Sequence, residues 1–199
     1  VKNKFVQSIV LLSGLWCSLV AITATAAPVE TDQRIPVDVR RTTLLVRDID
    51  KSLPLYRDAL GMKVVYDQQI GDSLGSNIPP TIRLVLLRAN DNYVGLLGLM
   101  QRLDDHTSPP PELRKPRAGN PIVVINASDL EERFERVRST PGVTVETPPT
   151  RIEYPSPGGT SIPVLFSAIY DPDGFFIEVN KLLGAPAGTQ ASGNENNKP

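Results

Sequence analysis

Cysteine and histidine each occur once in this chain, as Cys17 and His106. A single thiol excludes an internal disulfide and any cysteine-built metal site. A single imidazole makes a Ser-His-Asp set implausible. His106 also precedes Pro109, Pro110 and Pro111, where a solvated linker residue is the simplest reading. An excess of one charge is missing too. Lys+Arg number 21 and Asp+Glu 22, for a net charge of −1. Such a balance excludes the basic surface of a binder of nucleic acid or anionic membranes. No uninterrupted apolar run approaches the roughly 20 residues of a membrane span. The only glycine pair, Gly158-Gly159, lacks the flanking spacing of a phosphate loop.

The first residues read as an address. Lys2 and Lys4 make a basic start, Ile9 to Ile22 is mostly apolar, and Ala24-Thr25-Ala26 has small residues at cleavage spacing. Together they predict a secretory signal peptide over 1–26, a mature chain from Ala27, and a periplasmic or secreted location. Trp16 is too large for a lipoprotein cleavage site before Cys17. Losing Lys2 and Lys4 leaves 19 bases against 22 acids, a net of −3. The tail, 184–199, is small, polar and rich in Asn and Gly, and is expected to be disordered. The length between suffices for a proper core.

That middle contains a repeat. "DIDKSLPLYRDALG" runs from Asp48 to Gly61, and "DLEERFERVRSTPG" from Asp129 to Gly142, offset by 81 residues. Ile49, Leu53 and Tyr56 match Leu130, Phe134 and Val137, the i, i+4, i+7 stripe of a helix. Asp48 and Asp129 stand where N-caps belong, and Gly61 and Gly142 where helices stop. Charges on the second helix alternate as on a solvated face. Strands are predicted at 38–46, 63–70, 81–88 and 93–100 around the first helix. The second helix has them at 121–127, 143–147, 161–170 and 175–181. Each half then reads β-α-β-β-β, in an α+β chain. The two modules cover 38–100 and 120–183. A Pro-rich linker spans 101–119, and loops are expected at 71–80 and 148–160.

The last strand carries the sharpest signal. Asp171-Pro172-Asp173-Gly174 is a tight turn, and Phe175 to Asn180 alternates large apolar residues with Glu178. An acid there is costly to bury unless it meets a cation, a metal or donors. Turn, strand and acid resemble the vicinal oxygen chelate superfamily of glyoxalases, bleomycin-resistance proteins and extradiol dioxygenases. The resemblance spans roughly residues 40–183. It implies two βαβββ modules with paired curved sheets, a ligand cavity between them, and a divalent metal held by the first and last strand of each. Members of the family often pair, so the expectation extends to a homodimer.

Carried over by position, the metal site departs from that pattern. The two first-strand positions hold Arg41 and Ile122. The last-strand positions hold Leu97, or Gly98 if a loop shifts the offset, and Glu178. One ligand of four survives, so neither a divalent metal nor another cofactor is expected. Arg41 alternates with Thr43 and Leu45, Arg83 interrupts an apolar strand, and Glu178 shares a face with Phe176 and Asn180. These five residues, Arg41, Arg83, Phe176, Glu178 and Asn180, are the expected ligand contacts. Two arginines among them suggest a small, partly apolar anion. Arg41 and Glu178 are expected to meet directly, the guanidinium standing where the cation would be. The alternatives are a structural Arg–Glu pair, or a glyoxalase-type lyase, isomerase or dioxygenase-like enzyme with Glu178 as general base or metal ligand. Tyr93, Tyr154 and Phe166 are further wall candidates, although aromatics in strands more often sit in a core.

Overall fold

The computed structural model describes residues 31–71, 79–105, 112–155, 159 and 161–184. The expected signal peptide and cleavage site, His106 and the tail beyond Gly184 lie outside the described residues. Among those described, no helix is long and apolar enough to cross a membrane.

Alternation of apolar residues sets the first sheet. β1 (Arg41–Leu45), β2 (Lys63–Ile70), β3 (Ile82–Arg88) and β4 (Leu96–Arg102) are ordered β1-β4-β3-β2. β1 runs parallel to β4, and the other pairs are antiparallel. The second sheet repeats this with β5 (Val123–Asn126), β6 (Thr144–Pro155), β7 (Ser161–Tyr170) and β8 (Phe176–Leu182), ordered β5-β8-β7-β6. The two βαβββ modules expected from the repeat are present.

The helices α1 (Ile49–Leu53) and α2 (Leu130–Arg138) follow β1 and β5. Asp48 caps α1, accepting from the Asp50 N–H at 3.0 Å. Asp129 does not cap α2. Its carboxylate instead takes both Nε and Nη2 of Arg133, one turn on. A bidentate guanidinium outcompetes a single backbone donor for the same oxygens. Pro54 alters α1 as well. It lacks an N–H and its ring crowds the preceding turn, so Pro54–Ala59 continues as a wider π-type turn. Leu60 N–H accordingly reaches five residues back to Leu55 at 2.9 Å.

One apolar core joins the modules. Leu44, Ile49, Tyr56 and Leu99 from the first cluster with Leu130, Phe134, Ile169 and Ile177 from the second. Each sheet therefore has a helix face turned to this shared core and an open face turned away from it.

The expected loop at 148–160 proves to be largely strand, since β6 extends to Pro155. Pro148 and Pro149 are tolerated because β6 is an edge strand and its register to β7 slips between Thr147 and Thr150. A residue without an N–H fits such a bulge at an edge. The lengthened β6–β7 hairpin carries Tyr154 out along the open face.

Candidate functional site on the open face of the second sheet

Strand parity decides which side chains meet. On β8, Ile177 and Val179 join the shared core, so Phe176, Glu178, Asn180 and Leu182 take the open face. A cavity of about 420 Å³ lies there. Val124, Ile162, Val164 and Leu182 form its apolar wall. Asn126, Tyr154, Glu178 and Asn180 provide its polar groups. Among the described residues that line it, none is Lys, Arg or His.

The polar groups are held in place. The β7–β8 register runs Val164↔Leu182 and Leu165↔Lys181, then resumes at Ala168↔Glu178. In the gap, side chains replace the backbone ladder. Asn180 Oδ1 accepts the Ser167 N–H at 3.2 Å, and the Ser167 hydroxyl donates to the Val179 carbonyl. With its carbonyl committed, Asn180 aims its amide N–H₂ at Glu178 Oε2, 3.0 Å away. The other Glu178 oxygen has no donor among the described residues. Asn126 accepts the Leu182 N–H at 3.3 Å, which directs its own N–H₂ elsewhere. Burial, and then the nearby Glu178 charge, push the Tyr154 hydroxyl pKa up.

Three of the expected contacts are absent from this cavity. Arg83 sits on the helix face of β3 with Val85 and Leu87. Its Nε and Nη2 hold both oxygens of Asp67 at 3.0 and 2.8 Å, and Nη1 reaches Asp50 at 2.9 Å. The Arg83 hydrogen bond holds the Asp67 carboxyl below its ordinary range. Arg83 is thus a structural tie between β3, β2 and α1, which explains an arginine in an apolar strand. Phe176 packs edge-on against Tyr170, centroids 5.5 Å apart at 70°, at the far end of the face. Arg41 is on the open face of β1 but is exposed and lines a separate groove of about 310 Å³ between β1 and β5. Val124 borders both spaces.

The direct Arg41–Glu178 pair does not form; the nearest polar partner of Glu178 is Asn180. Strand order explains the separation. β1 and β5 lie side by side as unpaired edges, and Glu178 stands one strand further in, on β8. The expectation of an anionic ligand rested on two arginines lining the pocket with Glu178, and neither lines this cavity.

Among the other aromatic candidates, Tyr154 lines the cavity. Phe166 packs with Tyr170 and Phe176, and Tyr93 lies under the Arg40 guanidinium at 4.9 Å. Asn126 was missed by sequence reasoning. An amide ending the apolar run "IVVIN", directly across from Asn180 in register, was the available signal.

With this geometry in place, the comparison with known proteins is decisive on one point. Residues 39–179 match the Glyoxalase/Bleomycin resistance protein/Dioxygenase superfamily. The chain belongs to this superfamily. A glyoxalase family protein from Bacillus cereus superposes with a TM-score of 0.58 at 12% identity, over 78% of this chain and 100% of that one. That likeness concerns the fold alone. The trypanothione-dependent glyoxalase I of Leishmania major is 22% identical at a TM-score of 0.49, over 73% and 86% of the two chains. TnmS3, an antibiotic binding protein from a Streptomyces species, is 19% identical at 0.48, over 75% and 99%. No curated protein matches the sequence.

The residues present do not fit the divalent metal that the superfamily resemblance implies. In register, Thr43 faces Gly98 as Val124 faces Glu178, so Gly98 and not Leu97 is the counterpart of Glu178. Leu97 points into the shared core. A Cβ at Gly98 would stand 2.7 Å from the Thr43 hydroxyl, so Thr43 occupies the space an acid would need. The four positions therefore hold Arg41, Gly98, Ile122 and Glu178, a donor set of one carboxylate. Among the described residues, no three His, Cys, Asp or Glu side chains converge.

Proposed function

We propose that this superfamily member is an exported binding protein that holds one small organic molecule in the cavity of its second sheet, without a divalent metal. The observation that carries this reading is the cavity itself: four aliphatic walls around a carboxylate that one amide holds and whose other oxygen has no donor among the described residues. Small-molecule sites have this composition, an apolar body with few fixed polar groups. The enzymatic alternative, a glyoxalase-type lyase or isomerase with Glu178 as general base, needs an electrophilic group facing that carboxylate. The arginines assigned to that role lie elsewhere.

Native mass spectrometry of protein from an envelope fraction tests the reading. The expected result is a chain beginning at Ala27 with added organic mass and no metal. Val124→Trp, at an exposed position bordering the cavity, should remove that mass while leaving the chain folded. A retained metal, or added mass unaffected by Val124→Trp, would overturn it.

A further inference from the structure

The chemistry of the cavity also specifies a ligand class, on the premise that the cavity binds a small molecule. Among the described residues, Glu178 is its only charged lining residue. One oxygen already takes the Asn180 N–H₂ at 3.0 Å; the second has no donor among the described residues. A carboxylate drawn partly out of water beside aliphatic walls is stabilised by a cation or a strong donor. Among the described residues, no cation and no donor beyond the Asn180 amide is bonded to it. Arg41 is across Val124 in the neighbouring groove, Arg83 is tied to Asp67 and Asp50 on the opposite face, and Lys181 is tied to Glu131 at 2.9 Å. Tyr154 brings an aromatic ring to the same wall, a surface that also favours cations. Val124, Ile162, Val164 and Leu182 call for an apolar body.

We infer that the cavity binds an amphipathic ammonium compound, its cationic nitrogen on the open oxygen of Glu178 and its apolar part against Val124, Ile162, Val164 and Leu182. Anions are disfavoured, because an anion entering the cavity meets Glu178 with no cation beside it among the described residues.

Three probes of similar shape separate the possibilities: 2-phenylethylammonium, 3-phenylpropanoate and 2-phenylethanol. Binding is read from amide chemical shifts in NMR titrations of the purified chain at pH 7. The ammonium probe should shift Val124, Asn126 and Glu178 and bind at least about tenfold more tightly than either other probe, the size of one charge-assisted hydrogen bond. Glu178→Gln should abolish that preference. Its carbonyl still accepts the Asn180 N–H₂, so the fold is retained, as spectral dispersion verifies. If the carboxylate or the alcohol binds as tightly as the ammonium, or if Glu178→Gln leaves the ammonium affinity unchanged, the ligand class is wrong. The cavity reading then still stands, provided Val124→Trp blocks whichever probe binds. If no probe binds and the native protein carries no added mass, both readings fail.

Discussion

At the residue scale, Glu178 and Asp171 show how differently two acids of one turn-and-strand unit are used. Among the described residues Glu178 has one oxygen without a donor, whereas Asp171 is buried and saturated. Asp171 Oδ1 accepts the N–H groups of Asp173 and Phe175 at 2.9 and 2.8 Å, and Oδ2 accepts the Tyr56 hydroxyl at 2.8 Å. Tyr56→Phe should lower stability by about 1–3 kcal/mol in urea unfolding, because it removes one of three donors from a buried acid. Burial is also the main reason that the Asp171 pKa is raised. Between the unfolded value near 3.9 and the raised folded value, the native state holds an extra proton. Stability from this group is therefore complete below the unfolded pKa and is lost as pH rises through the folded one. Asp171→Asn removes the titration, so the stability of the wild type relative to this variant should rise as pH falls from 7 toward 4. The other acids are common to both chains and cancel in the difference. A difference that is flat or opposite in sign would contradict the assignment. For Arg41→Leu and Glu178→Leu, unfolding costs should add, with a coupling below about 0.5 kcal/mol, since the two side chains do not touch.

At the scale of elements, the turn before β8 is a joint between modules as much as a strand start. Asp173 Oδ1 accepts the Arg47 backbone N–H and Nε at 2.9 and 3.0 Å, and Oδ2 accepts the Ser52 hydroxyl at 2.8 Å. The second module's turn thereby grips the start of α1. The linker crosses the same turn. Arg114 stacks over Phe175 at 4.0 Å and donates to the Asp173 carbonyl at 2.9 Å. Gly174 permits this approach, with φ at +81° and no side chain; a Cβ there would stand 2.2 Å from the Glu112 carbonyl oxygen. Gly95, just before β4, has φ at +68° but open space around it. Gly95→Ala should therefore cost only the backbone strain, about 1–2 kcal/mol. Gly174→Ala should cost clearly more, because the linker must also move. Equal losses in thermal or urea unfolding would mean that the linker is not seated on the turn.

At the scale of the whole molecule, the shared core and this joint make two modules into one cooperative unit. Phe134 comes from α2 and is almost fully buried in a cluster that includes first-module residues. Phe134→Ala should cost about 3–5 kcal/mol and still unfold in one transition, seen by calorimetry as equal calorimetric and van't Hoff enthalpies. Two separated transitions would show that the modules are independent. The repeat is exact in topology but unequal in use. The second sheet keeps an acid and a cavity on its open face, while the first has Gly98 beneath Thr43 at the matching point.

Period and punctuation in the sequence determined the modules. The helical stripes, the glycine stops and the β2 and β7 bounds all depend on local spacing, and local spacing survives folding unchanged. The open face of β8 was legible for the same reason, since parity alone puts Phe176, Glu178 and Asn180 together. Tertiary structure decided the partners. Arg83 read as a binding residue because sequence shows a charge in an apolar strand without showing Asp67 and Asp50 across from it. Arg41 and Glu178 read as a pair because a family's metal geometry brings their positions together. In this chain Arg41 and Glu178 line different spaces on either side of Val124, and a one-residue difference between the repeats puts Gly98 opposite Thr43. Which face a side chain takes is set within its own strand; what it meets there is set by residues far away in sequence.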